Sequence, residues 1–501
     1  MLNDRPKQVI EKLQWFLHTP LDDLLALRLA TDSHTHALAH FRRVADTVPA
    51  YVRFLSEHGV DPASVTSWDA YQRLPLVNKV NYMQAYPLPE RCPGGSLTGC
   101  DRLAVSSGST GVPTFWPRAM VNELEIALRF EQVFRHSFKA HERETLAIVC
   151  FPLGNWVGGI FTASCCWHLA LKGYPLTVAT PGNQPQEILR VVRDLAPHFQ
   201  QTVLLGYPPF VKDVIDTGRA AGIEWERYAI KMVFAGEVFS EEWRDLMATR
   251  VGARHPCYDF ASLYGTADGG VLGNETPVSI AIRRFLAQRP DAARQLFGES
   301  RLPTLVQYDP VSRLFEIVDD TLVISGDAGV PLVRYHIADR GGLKSFAQMM
   351  ALLDQWKVDL SDFGLHAEEK AVELPFVWVF GRADFTVSFY GANVFPENVI
   401  VGLEREHIRD WVTGKFVMET RADDEGSEWL HVTVELVSDT LEAEGVATTT
   451  LAQTISNEIR RLNSEFAHYV PIDKQIPKVH LKPFGDPDYF PRGVKHRYTR
   501  K

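Results

Sequence analysis

The chain has 501 residues, 45% hydrophobic and 23% charged, the composition and length of a globular protein with several domains. A formal net charge of −10 argues against a general nucleic-acid binder. Six cysteines without a C-x-x-C pair argue against a zinc ribbon or disulfide framework, and no apolar run approaches the ~18 residues of a membrane span.

The opening MLNDRPKQVIEKLQW carries early charges and no apolar core of signal-peptide type, which fits a cytoplasmic protein. From 7 to 57, apolar residues recur at helical spacing, as at Ile10, Leu13 and Phe16. His36 and His40 lie one turn apart, but no carboxylate or cysteine completes a metal set, so they read as helix-surface histidines. A helix is expected from about Ser67, ending at Leu74-Pro75.

Leu103-Ala104-Val105 and Thr114-Phe115-Trp116 both look extended and should flank a hairpin. Between them, Ser106-Ser107-Gly108-Ser109-Thr110-Gly111 packs four hydroxyls and two glycines into six residues. Glycines let backbone N–H groups converge on an anion, and hydroxyls add donors for phosphate oxygens. Unlike G-x-x-x-x-G-K-[ST], the loop has no lysine, so a bound phosphate needs a cation from elsewhere. The same composition also suits a solvated, flexible hairpin.

A helix over 119–139 precedes four apolar runs: 145–151, 176–179, 202–205 and 231–234. Helices near 185–195 and 208–221 separate them, so the pattern predicts a parallel α/β sheet. Ligands of such sheets sit beyond the strand carboxyl ends. Three exits point to one crevice: Phe151 to Gly159, Gly206 to Phe210, and Ala235-Gly236-Glu237. Trp156, Gly158, Phe161 and Tyr207 are the candidate pocket residues there, with core packing as the alternative for the aromatics. Residues 275–300 read as a helical insertion, and 314–318 with 321–325 as antiparallel strands of a small β subdomain. A helix near 344–357, within a long segment 340–375, suggests an inserted lid or contact surface. The last ~120 residues read as strand, helix, strand: 430–436, 449–465 and 478–481.

The segment YVRFLSEHGVDPASVTSWDAYQRLPLVNKVNYMQAYPL, leading into the Ser/Gly/Thr loop, resembles the N-terminal region of phenylacetate–CoA ligases, a branch of the adenylate-forming superfamily. YDFASLYGTADGG is similar to the family's Y-G-x-[ST]-E, with Tyr264 and Gly265 matching and Ala267 and Asp268 replacing the hydroxyl residue and the glutamate. Arg334-Tyr335-His336-Ile337-Ala338-Asp339 resembles R-Y-R-T-x-D, departing at His336 and Ile337. Gly381-Arg382-Ala383-Asp384, followed by YGANVFP, looks like the family's hinge. Pro491-Arg492-Gly493-Val494-Lys495 is similar to the terminal G-K-x-x-R, with Val494 intervening.

The resemblance implies an α/β fold. A large adenylate-forming domain, 1–383, has parallel sheets and a small β subdomain, and a hinged α+β cap, 384–501, turns about Asp384. In its terms Ser106 to Gly111 hold the ATP phosphates, Gly236, Glu237, Tyr264 and Gly265 lie at adenine, and Arg382 belongs with the nucleotide. Asp339 holds the ribose hydroxyls, for which a carboxylate offers two acceptors. Asp268 places Mg2+, being an oxygen ligand one methylene shorter than glutamate. Lys495 supplies the missing cation, with Lys501 as its rival. The implied reaction activates a small carboxylic acid, aryl or arylalkyl by the family's habit, to an acyl-adenylate with pyrophosphate release, then transfers the acyl group to coenzyme A. No nucleic acid or membrane takes part, and a homodimer is compatible with this reading. Two alternatives stay open: passage of the acyl group to an amine, alcohol or protein, and a nucleotide- or acyl-binding homologue without turnover.

Overall fold

Buried apolar runs make one large sheet. The structure is a computed structural model describing residues 5–105, 114–155, 157–368, 371–382, 387–390, 392–422, 428–437, 444–491 and 496–500. The first strands, β1 (Arg102–Val105) and β2 (Phe115–Arg118), pair antiparallel with Val105 opposite Phe115, the expected arms of a hairpin. The central strands are β3 (Thr145–Val149), β4 (Leu176–Ala179), β5 (Gln201–Gly206), β6 (Ile230–Ala235) and β7 (Phe260–Thr266). They run parallel in the order β4-β3-β5-β6-β7. Every residue of β3 and β5 is buried, because helices such as Pro185–Leu195 and Pro208–Ala220 cover a parallel sheet.

Six antiparallel strands continue the same sheet: β8 (Gly270–Asn274), β9 (Thr304–Gln307), β10 (Leu314–Val318), β11 (Thr321–Gly326), β12 (Leu332–Lys344) and β13 (Phe376–Arg382). The hairpin expected as a small β subdomain forms the far end of an eleven-stranded sheet. Its strands carry polar turns between alternating residues, so the reading along the chain found the hairpin but not its neighbours. Register shifts interrupt β12 against both neighbours, and bulges of this kind bend a strand and add twist. At Gly341 a Cβ would lie 2.1 Å from the Trp378 carbonyl oxygen, so only glycine allows β13 to approach this closely.

The two inserted segments form one layer. Ile282, Phe285 and Leu286 of helix Pro277–Gln288 share a core with Met349 and Leu353 of helix Phe346–Trp356, over Phe376 and Trp378 of β13. The segment expected to be a lid or contact surface thus covers the sheet.

Helices Arg5–His18, Leu21–Ala30, Ser33–Thr47 and Pro49–Glu57 fill the predicted helical span. The third begins where the Asp32 carboxylate accepts the His34 and Thr35 N–H groups. Beyond it, the main chain of Val77 pairs with β12: Val77 N–H donates to Arg334 O at 3.2 Å and His336 N–H to Val77 O at 2.8 Å.

The C-terminal part holds β14 (Val387–Phe389) and β15 (Ala392–Val394) as a hairpin, then β16 (Val412–Ala422), β17 (Glu428–Leu436) and β18 (Lys478–Lys482). β16 pairs antiparallel and β18 parallel with β17, and helix Glu444–Leu462 packs on them in a core of its own. The expected strand, helix, strand order is present. β16 is additional, and its polar residues and Gly414 hide it from an apolar-run reading.

Candidate functional site

The chain passes from β3 to β4 on one side and returns to β5 on the other, so the order of strands reverses between β3 and β5. Ligands of open α/β sheets bind at such a point, beyond the carboxyl ends. Phe151 and Tyr207 leave these two strands and meet edge to face, ring centroids 4.9 Å apart. Gly158, another predicted pocket residue, faces the Phe151 ring, where a Cβ would sit 3.4 Å from it. Burial, with the Glu237 charge second, pushes the Tyr207 phenol up to about 12, so it stays neutral at pH 7. Phe161 packs instead in the core beside helix Met120–Gln132, with the Arg102 guanidinium 5.9 Å from its ring centroid. For this aromatic the packing alternative is the one observed.

Gly236 follows β6 with φ +87, and a Cβ there would come within 2.9 Å of the Tyr207 ring. The left-handed backbone and the close ring both require glycine. Gly236→Ala is expected to cost about 1–3 kcal/mol, read as a lower urea midpoint at unchanged m-value. An unchanged midpoint would mean that this exit yields freely.

Two tyrosine–aspartate pairs tie β7 to β12. Tyr264 OH donates to Asp339 Oδ2 at 2.8 Å, and Tyr335 OH donates to Asp268 Oδ2 at 2.5 Å. Three strands, β8, β9 and β13, lie between β7 and β12 in the sheet, so the sheet must curl for these side chains to meet. All four residues are buried. Positive φ angles at Arg334 (47°) and Ala338 (62°) flank Tyr335, a local strain that the surrounding contacts must hold. The Arg334 guanidinium supplies some of them, pairing with Glu316 at 3.2 Å and donating to Leu74 O.

The loop bearing Asp268 is braced from below. Thr266 Oγ1 accepts the Gly269 N–H at 2.9 Å, and Arg313 Nε donates to Gly269 O at 3.1 Å. Arg118, fully buried, donates to Ala267 O and to Ala328 O. Burial, then the nearby Arg313 charge, lowers the Arg118 pKa to about 10, and it remains charged at pH 7. Arg118, Arg313 and the pairing role of Tyr335 escaped the sequence reading; Tyr335 could have been found, since it stands inside the motif that contains Asp339.

Polar contacts join the C-terminal part to the rest of the chain, two of them just beyond β6. Tyr498 OH donates to Glu237, and Ser240 OH to Glu404. Lys415 Nζ meets Asp213 at 2.5 Å, and Arg301 meets Glu397 at 2.9 Å while lying over the Phe395 ring. The strand-like tail beyond residue 496 pairs with β16, where Met418 N–H donates to Tyr498 O at 2.8 Å and Arg500 N–H to Met418 O at 3.1 Å.

Gly236, Glu237, Tyr264, Gly265, Asp268 and Asp339 thus stand on β6, β7 and β12 or directly beyond them, with Glu237 partly covered by the tail. Ser106 to Gly111, Trp156, Asp384, Lys495 and Lys501 lie outside the described residues, as does the Arg382 side chain. Among the described residues no group of three or more His, Cys, Asp or Glu side chains could hold a metal by itself. No helix is long and apolar enough to cross a membrane, again among the described residues.

No protein-family model matches the chain. A phenylacetate-coenzyme A ligase of Thermus thermophilus is 24% identical over 210 residues, which is 42% of this chain and 43% of that protein, so the match spans less than half of the relative's length. A 2-hydroxyisobutyryl-CoA ligase solved in the postadenylation state with R3-HIB-AMP aligns over 93% of this chain and 88% of its own, with TM-score 0.62 and 15% identity. The same ligase in an open conformation with 2-HIB-AMP and CoA aligns over 93% and 90%, with TM-score 0.51 and 15% identity. The chain therefore has the fold of the adenylate-forming CoA ligases, and along part of its length its sequence resembles a phenylacetate–CoA ligase, the branch its motifs indicated.

Proposed function

We propose that the chain is an AMP-forming acid–thiol ligase, which joins a carboxylic acid to ATP as an acyl-adenylate and passes the acyl group to coenzyme A. The observation that carries this reading is the pair of links Tyr264–Asp339 and Tyr335–Asp268, which gather the motif residues at the carboxyl end of the parallel sheet. The solved ligase of the same fold, with its adenylate and CoA complexes, supports the two half-reactions.

In the first half-reaction a carboxylate oxygen attacks the α-phosphorus of ATP, and the bond to pyrophosphate breaks. Two anions must meet, so orientation and positive charge dominate the barrier. Asp339 receives the ribose hydroxyls, held in place by the Tyr264 hydroxyl. The loop from Ser106 to Gly111 grips the phosphates, with Glu237, Gly236 and Gly265 on the adenine side and Arg382 along the nucleotide. Phe151, Gly158 and Tyr207 flank the acid, with Trp156 beside them; an aryl or arylalkyl acid fits these rings. Mg2+ usually binds through one or two carboxylates plus substrate phosphates, and the single Asp268 suits that habit. Bound there, it would neutralise phosphate charge. The domains are 1–383 and 384–501, and in the second half-reaction the cap turns about Asp384 so that a thiol can attack the acyl carbon and expel AMP.

Pyrophosphate release measured across a panel of acids, with and without coenzyme A, tests the whole reading. An aryl or arylalkyl acid should lead, with thiol consumed in step. Release without thiol consumption would favour an amine, alcohol or protein acceptor, and ATP binding without release for any acid would remove the enzyme.

Cap docking should also depend on pH. Glu404 is buried against Ser240, with Glu242, Arg283 and Arg405 as charged neighbours, and burial lifts its pKa to about 8. In a released cap it would return to an ordinary carboxyl value of roughly 4.3. The docked state therefore holds one more proton between these values, so docking is strongest at low pH and weakens as pH rises towards 8. Proteolysis of the cap between pH 6 and 9 should show this, and Glu404→Gln, which keeps an acceptor for Ser240, should flatten it. A slope that persists in that variant would assign the effect to other groups.

A further inference from the structure

A cavity of about 450 Å3 lies between the N-terminal helices, helix Met120–Gln132 and the β10–β11 end of the sheet. Of its lining residues only Arg313 also touches the site described above, through its Nε on Gly269 O. Its volume is that of a small-molecule pocket. Lys12, Arg28, Arg43 and Arg313 line it against only two carboxylates, Glu125 and Asp327.

Three of the cations are matched. Lys12 and Arg28 share Glu125, and Arg43 meets Asp327 at 2.9 Å. Arg313 differs. It is 4% exposed, and its hydrogen bonds go to main-chain carbonyls, Gly269 O and Ser312 O. Among the described residues its Nη2 has no hydrogen-bond partner. A buried guanidinium without an anion in hydrogen-bonding contact is costly, and an incoming anion would relieve that cost. The two histidines do not change the balance: burial lowers the pKa of each, that of His40 to about 4. Ala37, Val121, Val311 and Leu314 supply apolar wall beside the charged end.

We propose that this cavity binds a small organic anion, a carboxylate or phosphate on a compact apolar body, with the anionic group on Arg313. The proposal is independent of the ligase reading. Titration calorimetry of the full chain with phenyl phosphate, benzoate and inorganic phosphate tests it. One organic probe should bind at one per chain, at least tenfold more tightly than inorganic phosphate. The tighter of the two then names phosphate or carboxylate as the preferred headgroup. Arg313→Met should weaken it at least tenfold. Because Arg313 is buried and also holds Gly269 O, Ala39→Trp serves as the second variant: Ala39 is exposed at the rim, and the indole would fill the entrance. It should abolish binding while thermal stability holds. Absence of binding by either organic probe, equal affinity for inorganic phosphate, or wild-type affinity in Ala39→Trp each overturns the proposal.

Discussion

Lys495→Ala is expected to lower acyl-adenylate formation by about 10²–10³ and to leave transfer from a supplied acyl-adenylate to coenzyme A near the wild-type rate. A cation about 4 Å from an anion contributes ~4 kcal/mol at an effective dielectric of 20, on the order of 10³ in rate. The hydroxyl-rich loop carries no such charge. Three residues beyond Lys495, Tyr498 is fastened to Glu237 at the β6 exit, so the tail runs close to the side assigned to the adenine. Single-turnover measurement of each half-reaction separates the steps. Equal losses in both would make the lysine a general support of the cap, and normal adenylation would give the role to another residue.

Asp268→Ala should cost about 10² in pyrophosphate release and raise the Mg2+ concentration needed for half-maximal rate. Tyr335→Phe should do less, about tenfold, because it removes one hydrogen bond to a charged group, worth roughly 1.5 kcal/mol, and leaves the carboxylate. A Mg2+ titration of both variants decides the matter. If the half-saturating concentration stays fixed while the rate falls, Asp268 acts on the loop and not on the ion.

Much of this architecture is legible along the chain because parallel strands buried on both faces leave continuous apolar runs, as in β3, β5 and β6. The family resemblance and the fold are borne out by the relatives. What the sequence hides is how residues far apart are joined. Nothing in the spacing of Tyr335 and Asp268 foretells that the sheet bends enough for them to touch. Buried charges are equally silent. Arg244, lodged between Glu241 and Glu275, and Arg283, on Glu241, carry no mark of burial in the sequence but hold helices Glu241–Val251 and Pro277–Gln288 together inside the protein. Tyr498 lies just past the terminal motif, and a single tyrosine there carries no signal in the sequence of its attachment to Glu237.

The Val77–Arg334 seam has a consequence for how the chain comes to be made. Arg334 Nη1 reaches Leu74 O across 260 residues of sequence, so the early segment emerges long before the strand that will receive it. Closing so large a loop is slow, and an edge left waiting can join the wrong neighbour. Synthesis at reduced temperature, or with a holdase present, should therefore raise the yield of native protein more than any change made in the cap.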